Sequence, residues 1–202
     1  MEDSFMLMKI YQEAKQRGEK EGFTPIIITV DDILWECISM NTEAGEGTLD
    51  FNPKAAAQYR EKILNTPIED GKEILKKYSS GREEDMESLL SEEEYALYLK
   101  EYGEDKFDWD DEMLDDQKMD HFVSYLDYST ENTAPVILAE IPVKNPWEIF
   151  AYVPFGGWNE CPDTMELMAV TKYWNELYGA VPAVITHDVL EFSVPPLLGL
   201  ER

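Results

Sequence analysis

Basic residues are scarce in this 202-residue chain: 17 lysines and arginines stand against 43 aspartates and glutamates, a formal charge of −26. A surface of that sign repels phosphate backbones and anionic headgroups. It excludes nucleic acid and membrane surfaces as partners and favours cations or a basic protein. Histidine and cysteine are rarer still, with two of each. Cys37 and Cys161 lie far apart in sequence, and no pairing of them with His121 or His187 has metal-ligand spacing. That argues against zinc and against a disulfide framework, and reads as a reduced pair in the cytoplasm. No apolar run approaches the roughly 20 residues that cross a bilayer. The start, Met1-Glu2-Asp3-Ser4, is acidic, where a secretion signal begins basic and turns apolar, so the chain is expected to be cytoplasmic. Internal repeats, low-complexity tracts and a Gly-x-Ser-x-Gly nucleophile elbow are absent too.

What is present is enough for a core. Hydrophobic residues make up 44% of the chain and aromatic residues 12%, which places it with folded proteins rather than disordered ones. The acidity is uneven: residues 82–133 hold 19 acids and 4 bases. The expected organisation is one α+β domain over 1–202, interrupted by an acidic, mainly helical insertion over 82–133. Asp108-Trp109-Asp110-Asp111-Glu112-Met113 opens like a calcium loop. It then fails, because the sixth and twelfth positions, which need glycine and glutamate, are Met113 and Met119.

Periodicity predicts an amphipathic helix over 4–20 that buries Met8, Tyr11, Ala14 and Phe5. Thr24–Val30 reads as a strand interior to a sheet. Asp31 can cap a helix that buries Ile33, Leu34, Cys37 and Ile38, and that Asn41 closes. Residues 42–52 read as a loop, Pro53 as the start of a helix through Ile63, and Ile68–Tyr78 as a further short helix. Strands are expected over Pro135–Ile141, Trp147–Val153, Ala183–Thr186 and Val189–Val194. A helix over Asp163–Tyr178 interrupts them, with an Asp163/Glu166 capping box, an apolar face of Leu167, Val170, Trp174 and Leu177, and Gly179 as its stop. The sum is one mixed sheet of about five strands flanked by helices.

No catalytic constellation stands out, and neither a metal site nor a cofactor is implied. The candidate ligand-binding residues are Gly156, Gly157, Trp158, Asn159 and Cys161, in one loop between a strand and a helix, and His187 with Asp188 near the carboxy terminus. Paired glycines let a ligand approach backbone closely, or simply make a tight turn. Glu160, Asp163 and Glu166 crowd the following helix start, so an anion is disfavoured there and a neutral or cationic molecule fits better. His187-Asp188 has two readings, a base with its orienting carboxylate or a hydrogen-bonded histidine at a strand end. Strand neighbours point to opposite faces, so the first needs a turn.

The run Asn145-Pro146-Trp147-Glu148-Ile149-Phe150-Ala151-Tyr152-Val153-Pro154-Phe155-Gly156-Gly157-Trp158-Asn159-Glu160-Cys161-Pro162 resembles the bacterial domain-of-unknown-function family numbered 4253. So do Tyr173-Trp174, Tyr178–Val184 and His187–Phe192. The likeness is strongest over 134–194. It implies a bacterial protein and no particular activity, substrate or cofactor. The family pattern continues into a further helix where this chain reaches Leu200-Glu201-Arg202; the resemblance implies either a shortened member or a sheet completed differently, for which a homodimer covering an exposed sheet edge is one expectation. Three function classes follow. The first is a non-enzymatic interaction module whose acidic face engages a basic protein, as toxin-neutralising immunity proteins do. The second is a small-molecule-binding domain with its pocket at the Gly-Gly-Trp-Asn loop, and the third is an enzyme using Cys161 or His187.

Overall fold

The computed structural model describes residues 2–42, 52–78, 91, 94, 97, 121–127, 132–159 and 161–195. Backbone packing divides the chain into two units, 1–71 with 121–202, and 72–120.

The first unit is built on a four-stranded mixed sheet. Helix α1 (Glu2–Glu21) leads into β1 (Thr24–Thr29), α2 (Asp32–Asn41) and α3 (Pro53–Asn65). A short helix, α4, runs over 71–78, and from Lys72 on its residues belong to the second unit. After a two-residue pair, β2 (Leu126–Asp127) and β3 (Asn132–Thr133), come β4 (Val136–Ile141), a 3-10 helix (Pro146–Ala151), α5 (Thr164–Tyr178), β5 (Val181–Ile185) and β6 (Leu190–Ser193). The strand order is β4-β1-β5-β6. β1 pairs antiparallel with β4, Thr24 opposite Ile141, and parallel with β5, Ile27 opposite Val184, while β6 returns antiparallel to β5. The class is α+β.

Burial on both faces explains the sequence of β1. Ile26 joins a core made with Leu34 of α2, Ile63 of α3, Ile149 and Phe150 of the 3-10 helix, and Met168 of α5. Ile27, pointing the other way, joins Tyr11 of α1, Tyr125, Ala183 and Val184. A strand covered on both sides has no polar position to alternate with, hence the unbroken Pro25-Ile26-Ile27-Ile28. The Thr24 hydroxyl donates to the Val143 carbonyl at 3.0 Å and so meets its polar demand inside the core.

The caps follow the residues that predict them. Asp31 accepts from the Leu34 N–H at 2.7 Å, and Asn52 accepts from Lys54 and Ala55 ahead of Pro53. Asp163 and Glu166 close a reciprocal capping box, and Gly179 ends α5 at φ 67°.

Several expectations are corrected. Trp147–Val153 is not a strand: Pro146–Ala151 forms a 3-10 helix, so the sheet has four strands and not five. Pro146 fixes φ at the first helical position, and Ile149, Phe150, Ala151 and Val153 are buried together, a clustering that an alternating strand cannot give. Phe5, Ile33 and Leu177, read as core-facing, are 77%, 55% and 53% exposed, whereas Met168, Ala169 and Thr171 carry the buried face of α5 with Val170. Residues 126–127 and 132–133, expected within a helical insertion, form β2 and β3. Most of 82–133, and 43–51 of the loop, lie outside the described residues.

In the second unit the Ser91 N–H and hydroxyl both donate to Glu94, holding its carboxyl below the usual range. The Lys77 ammonium lies 5.4 Å from the Tyr78 ring.

Candidate functional site

The residues singled out in the sequence fall at two places, and α2 sets their separation. Asp31, before the first turn of α2, lies beside His187, and Asn41, in its last turn, holds the glycine loop. Ten residues at 1.5 Å each put those places about 15 Å apart, so they do not form one pocket.

The first place is the carboxyl end of the parallel pair β1 and β5, where open sheets with parallel strands commonly place ligands. The chain leaves β5 through a turn closed by Thr186 N–H to the Val189 carbonyl at 2.9 Å. The Thr186 hydroxyl donates to Asp188 at 2.9 Å and accepts the Val189 N–H, also at 2.9 Å. That turn brings His187 and Asp188 onto one side, which their adjacency on a strand would forbid. The two imidazole nitrogens stand 3.7 Å from Asp31 Oδ2 and 3.7 Å from Asp188 Oδ1. These distances are too long for hydrogen bonds but close enough for attraction once the ring is protonated. Asp31 is already engaged, accepting from the Thr29 hydroxyl at 3.1 Å as well as capping α2. The arrangement is a histidine flanked by two carboxylates. Among the described residues no hydroxyl or thiol hydrogen-bonds to the ring.

The second place is the loop Phe155–Pro162. Gly156 and Gly157 have φ of 85° and 84°, and Asn159 has 51°. The Gly157 N–H donates to the Cys161 and Pro162 carbonyls at 3.3 and 3.1 Å, and the Cys161 N–H donates to the Trp158 carbonyl at 3.0 Å. The Asn41 amide donates to the Gly156 carbonyl at 2.9 Å and to Pro154 at 3.4 Å. The Thr164 hydroxyl donates to the Phe155 carbonyl at 3.3 Å and accepts from Tyr59 at 2.8 Å. The loop's backbone groups are thus largely spent on its own fold, and Gly156 is buried. Trp158 is half-buried, Asn159 is exposed and Cys161 is half-buried. Burial raises the Cys161 thiol, against a smaller opposing hydrogen bond from Gly157. Cys37, in the core of α2, is pushed up to about 11, chiefly by burial. A thiol held protonated is a poor nucleophile.

Sequence reasoning left Asp31 and Asn41 out of the candidate residues and read them as helix ends. Asp31 does cap α2, but it also faces His187, while Asn41 binds the loop's carbonyls. Both contacts join residues more than 110 positions apart, for which a single sequence offers no signal. Among the described residues no group of three histidine, cysteine or acidic side chains is placed to hold a metal ion, and no helix is long and apolar enough to cross a membrane.

No curated protein and no solved structure matches the chain. One family model does, over less than half of the chain and across the segment from β4 through the 3-10 helix, the glycine loop and α5 to β6: residues 137–198 match the family described as Domain of unknown function (DUF4253).

Proposed function

We propose that the protein is a non-enzymatic binding module whose acidic surface docks a basic protein partner at the carboxyl edge of the sheet. The observation that carries this reading is the mixture of side chains there. Val30 and Ile33 are 53% and 55% exposed, and Val189 is 39% exposed. Between them in sequence stand Asp31, Asp32 and Asp188. Apolar side chains among charges of one sign have the anatomy of an interface, with dry contacts inside and a polar rim.

Asp32 and Glu36 sharpen the argument. They lie four residues apart on the exposed side of α2, and neither makes an ion pair among the described residues. Like charges at that spacing destabilise a helix by roughly 0.2–0.5 kcal/mol. A lysine or arginine supplied from outside reverses the sign of that term.

The test is affinity capture from the host lysate at roughly 0.05 M and 0.5 M salt, with wild type and an Asp32→Lys/Glu36→Lys double variant. The expected result is a basic protein retained at low salt, released at high salt and absent with the double variant. A partner held equally well by the double variant, or none at low salt, overturns the proposal.

A further inference from the structure

A cleft of about 570 Å³ opens at the opposite edge of the sheet, by the amino ends of β1 and β5, where Thr24 and Val181 form part of its wall. Its charge runs against the rest of the chain. Overall, acids outnumber bases 43 to 17, yet among the described residues the cleft is lined by Lys15 and Lys144 with Glu19 as the single acid. Phe23, Val143 and Pro146 supply apolar wall between them.

The two lysines are available in different ways. Lys15 is fixed: its ammonium donates to the Ser193 hydroxyl at 3.0 Å, which leaves two of its three N–H donors for the cleft. Lys144 has no carboxylate partner among the described residues and reaches in from the turn between β4 and the 3-10 helix. Arg17, two residues from Lys15 and on the other side of α1, is by contrast paired with Glu140 and Glu21.

We infer that this cleft binds a small organic carboxylate with an apolar or aromatic body. Two ammonium groups against one carboxylate leave a single positive charge to be balanced, which is the valence of one carboxylate head. A phosphate dianion fits worse. The carboxyl end of α1, with Gly18, Glu19 and Gly22 on the wall, turns the negative end of its dipole toward the cleft, which weighs more heavily on a dianion than on a single carboxylate. The volume is in the range of sites for drug-sized molecules, so the apolar wall has room for a ring system behind the charged head. The site is independent of the acidic carboxyl edge and survives if the docking proposal fails.

The probe is 2-naphthoate, a monoanionic aryl carboxylate, titrated into the full chain up to about 1 mM and followed by backbone amide chemical shifts. Shifts are expected at Gly18, Gly22, Lys144 and Val181. Neutral 2-naphthamide should give them at least tenfold more weakly. Lys144→Met, at an exposed position that leaves the fold intact, should weaken naphthoate binding roughly tenfold, the scale of one charge-assisted hydrogen bond. Lys172→Met, on the outside of α5, should bind as wild type does. The inference is overturned by shifts that map elsewhere, by no shifts at 1 mM, by equal binding of the amide, or by a Lys144→Met variant that binds unchanged.

Discussion

Replacing each glycine of the Gly156-Gly157 pair by alanine separates a structural loop from a ligand-approach loop, because the two positions share a backbone conformation and differ in surroundings. Both have φ near 85°, where a Cβ costs about 1–2 kcal/mol. A Cβ on Gly156 meets the Pro162 carbonyl oxygen at 2.1 Å and Leu167 Cδ1 at 2.9 Å. The first of these is backbone and cannot step aside without moving the start of α5, so overpacking adds about 1–3 kcal/mol. A Cβ on Gly157 meets only Asn41 Oδ1, at 3.4 Å, the end of a side chain. Gly156→Ala should therefore destabilise by about 2–5 kcal/mol and Gly157→Ala by about 1–2 kcal/mol. Urea unfolding of the two variants beside wild type reads the difference directly, and at this chain length it corresponds to at least a few degrees in Tm. Equal losses, or a larger loss at Gly157, would refute the packing argument. They would reopen the loop as a place kept thin for a ligand.

Two further outcomes follow from the buried titratable groups and from the hold on the loop. Burial pushes Tyr11 up to about 12 from 10, with the Ser193 hydroxyl opposing in smaller measure. The unfolded chain then loses its proton first, so this contribution is intact below pH 10 and is lost as pH rises toward 12, by roughly 2–3 kcal/mol. Tyr11→Phe should flatten that part of the alkaline stability curve measured by denaturant unfolding; an unchanged slope would show that Tyr11 ionises as freely folded as unfolded. Asn41→Ala leaves the Gly156 and Pro154 carbonyls without their donor and should cost about 1–3 kcal/mol in the same assay, while a loss below 0.5 kcal/mol would mean water replaces the amide.

The parts of the fold legible in the sequence are those set by local chemistry. Asp31, Asp163 with Glu166, and Gly179 stand where they do because orphan N–H and carbonyl groups need partners within a few residues, and such partners can be read along the chain. The isoleucines of β1 are legible for a related reason, since a run buried on both faces leaves a composition that no half-exposed element has. The 3-10 helix Pro146–Ala151 was misread because Trp147-Glu148-Ile149-Phe150-Ala151-Tyr152-Val153 has the length and apolarity of a strand. Only Pro146, a good first residue of a helix, pointed the other way. β2 and β3, two residues each, are too short to carry any period.

The site was legible in its residues and illegible in its grouping. Gly156, Gly157, His187 and Asp188 are conspicuous because glycine pairs and histidines are rare here, and rarity is a property of sequence. Whether they meet depends on α2, whose ends hold Asp31 near His187 and Asn41 against Gly156. A helix of ten residues is a rigid spacer, so one choice of length fixed the separation of two loops that the chain order gives no reason to separate. The lysine cleft was hidden for the complementary reason. Lys15 and Lys144 are ordinary residues in ordinary positions, and only the turn out of β4 brings the second beside the first. Here the cleft's surplus of positive charge is assembled from distant segments, which is why the overall charge pointed to a basic partner and gave no sign of an anionic ligand.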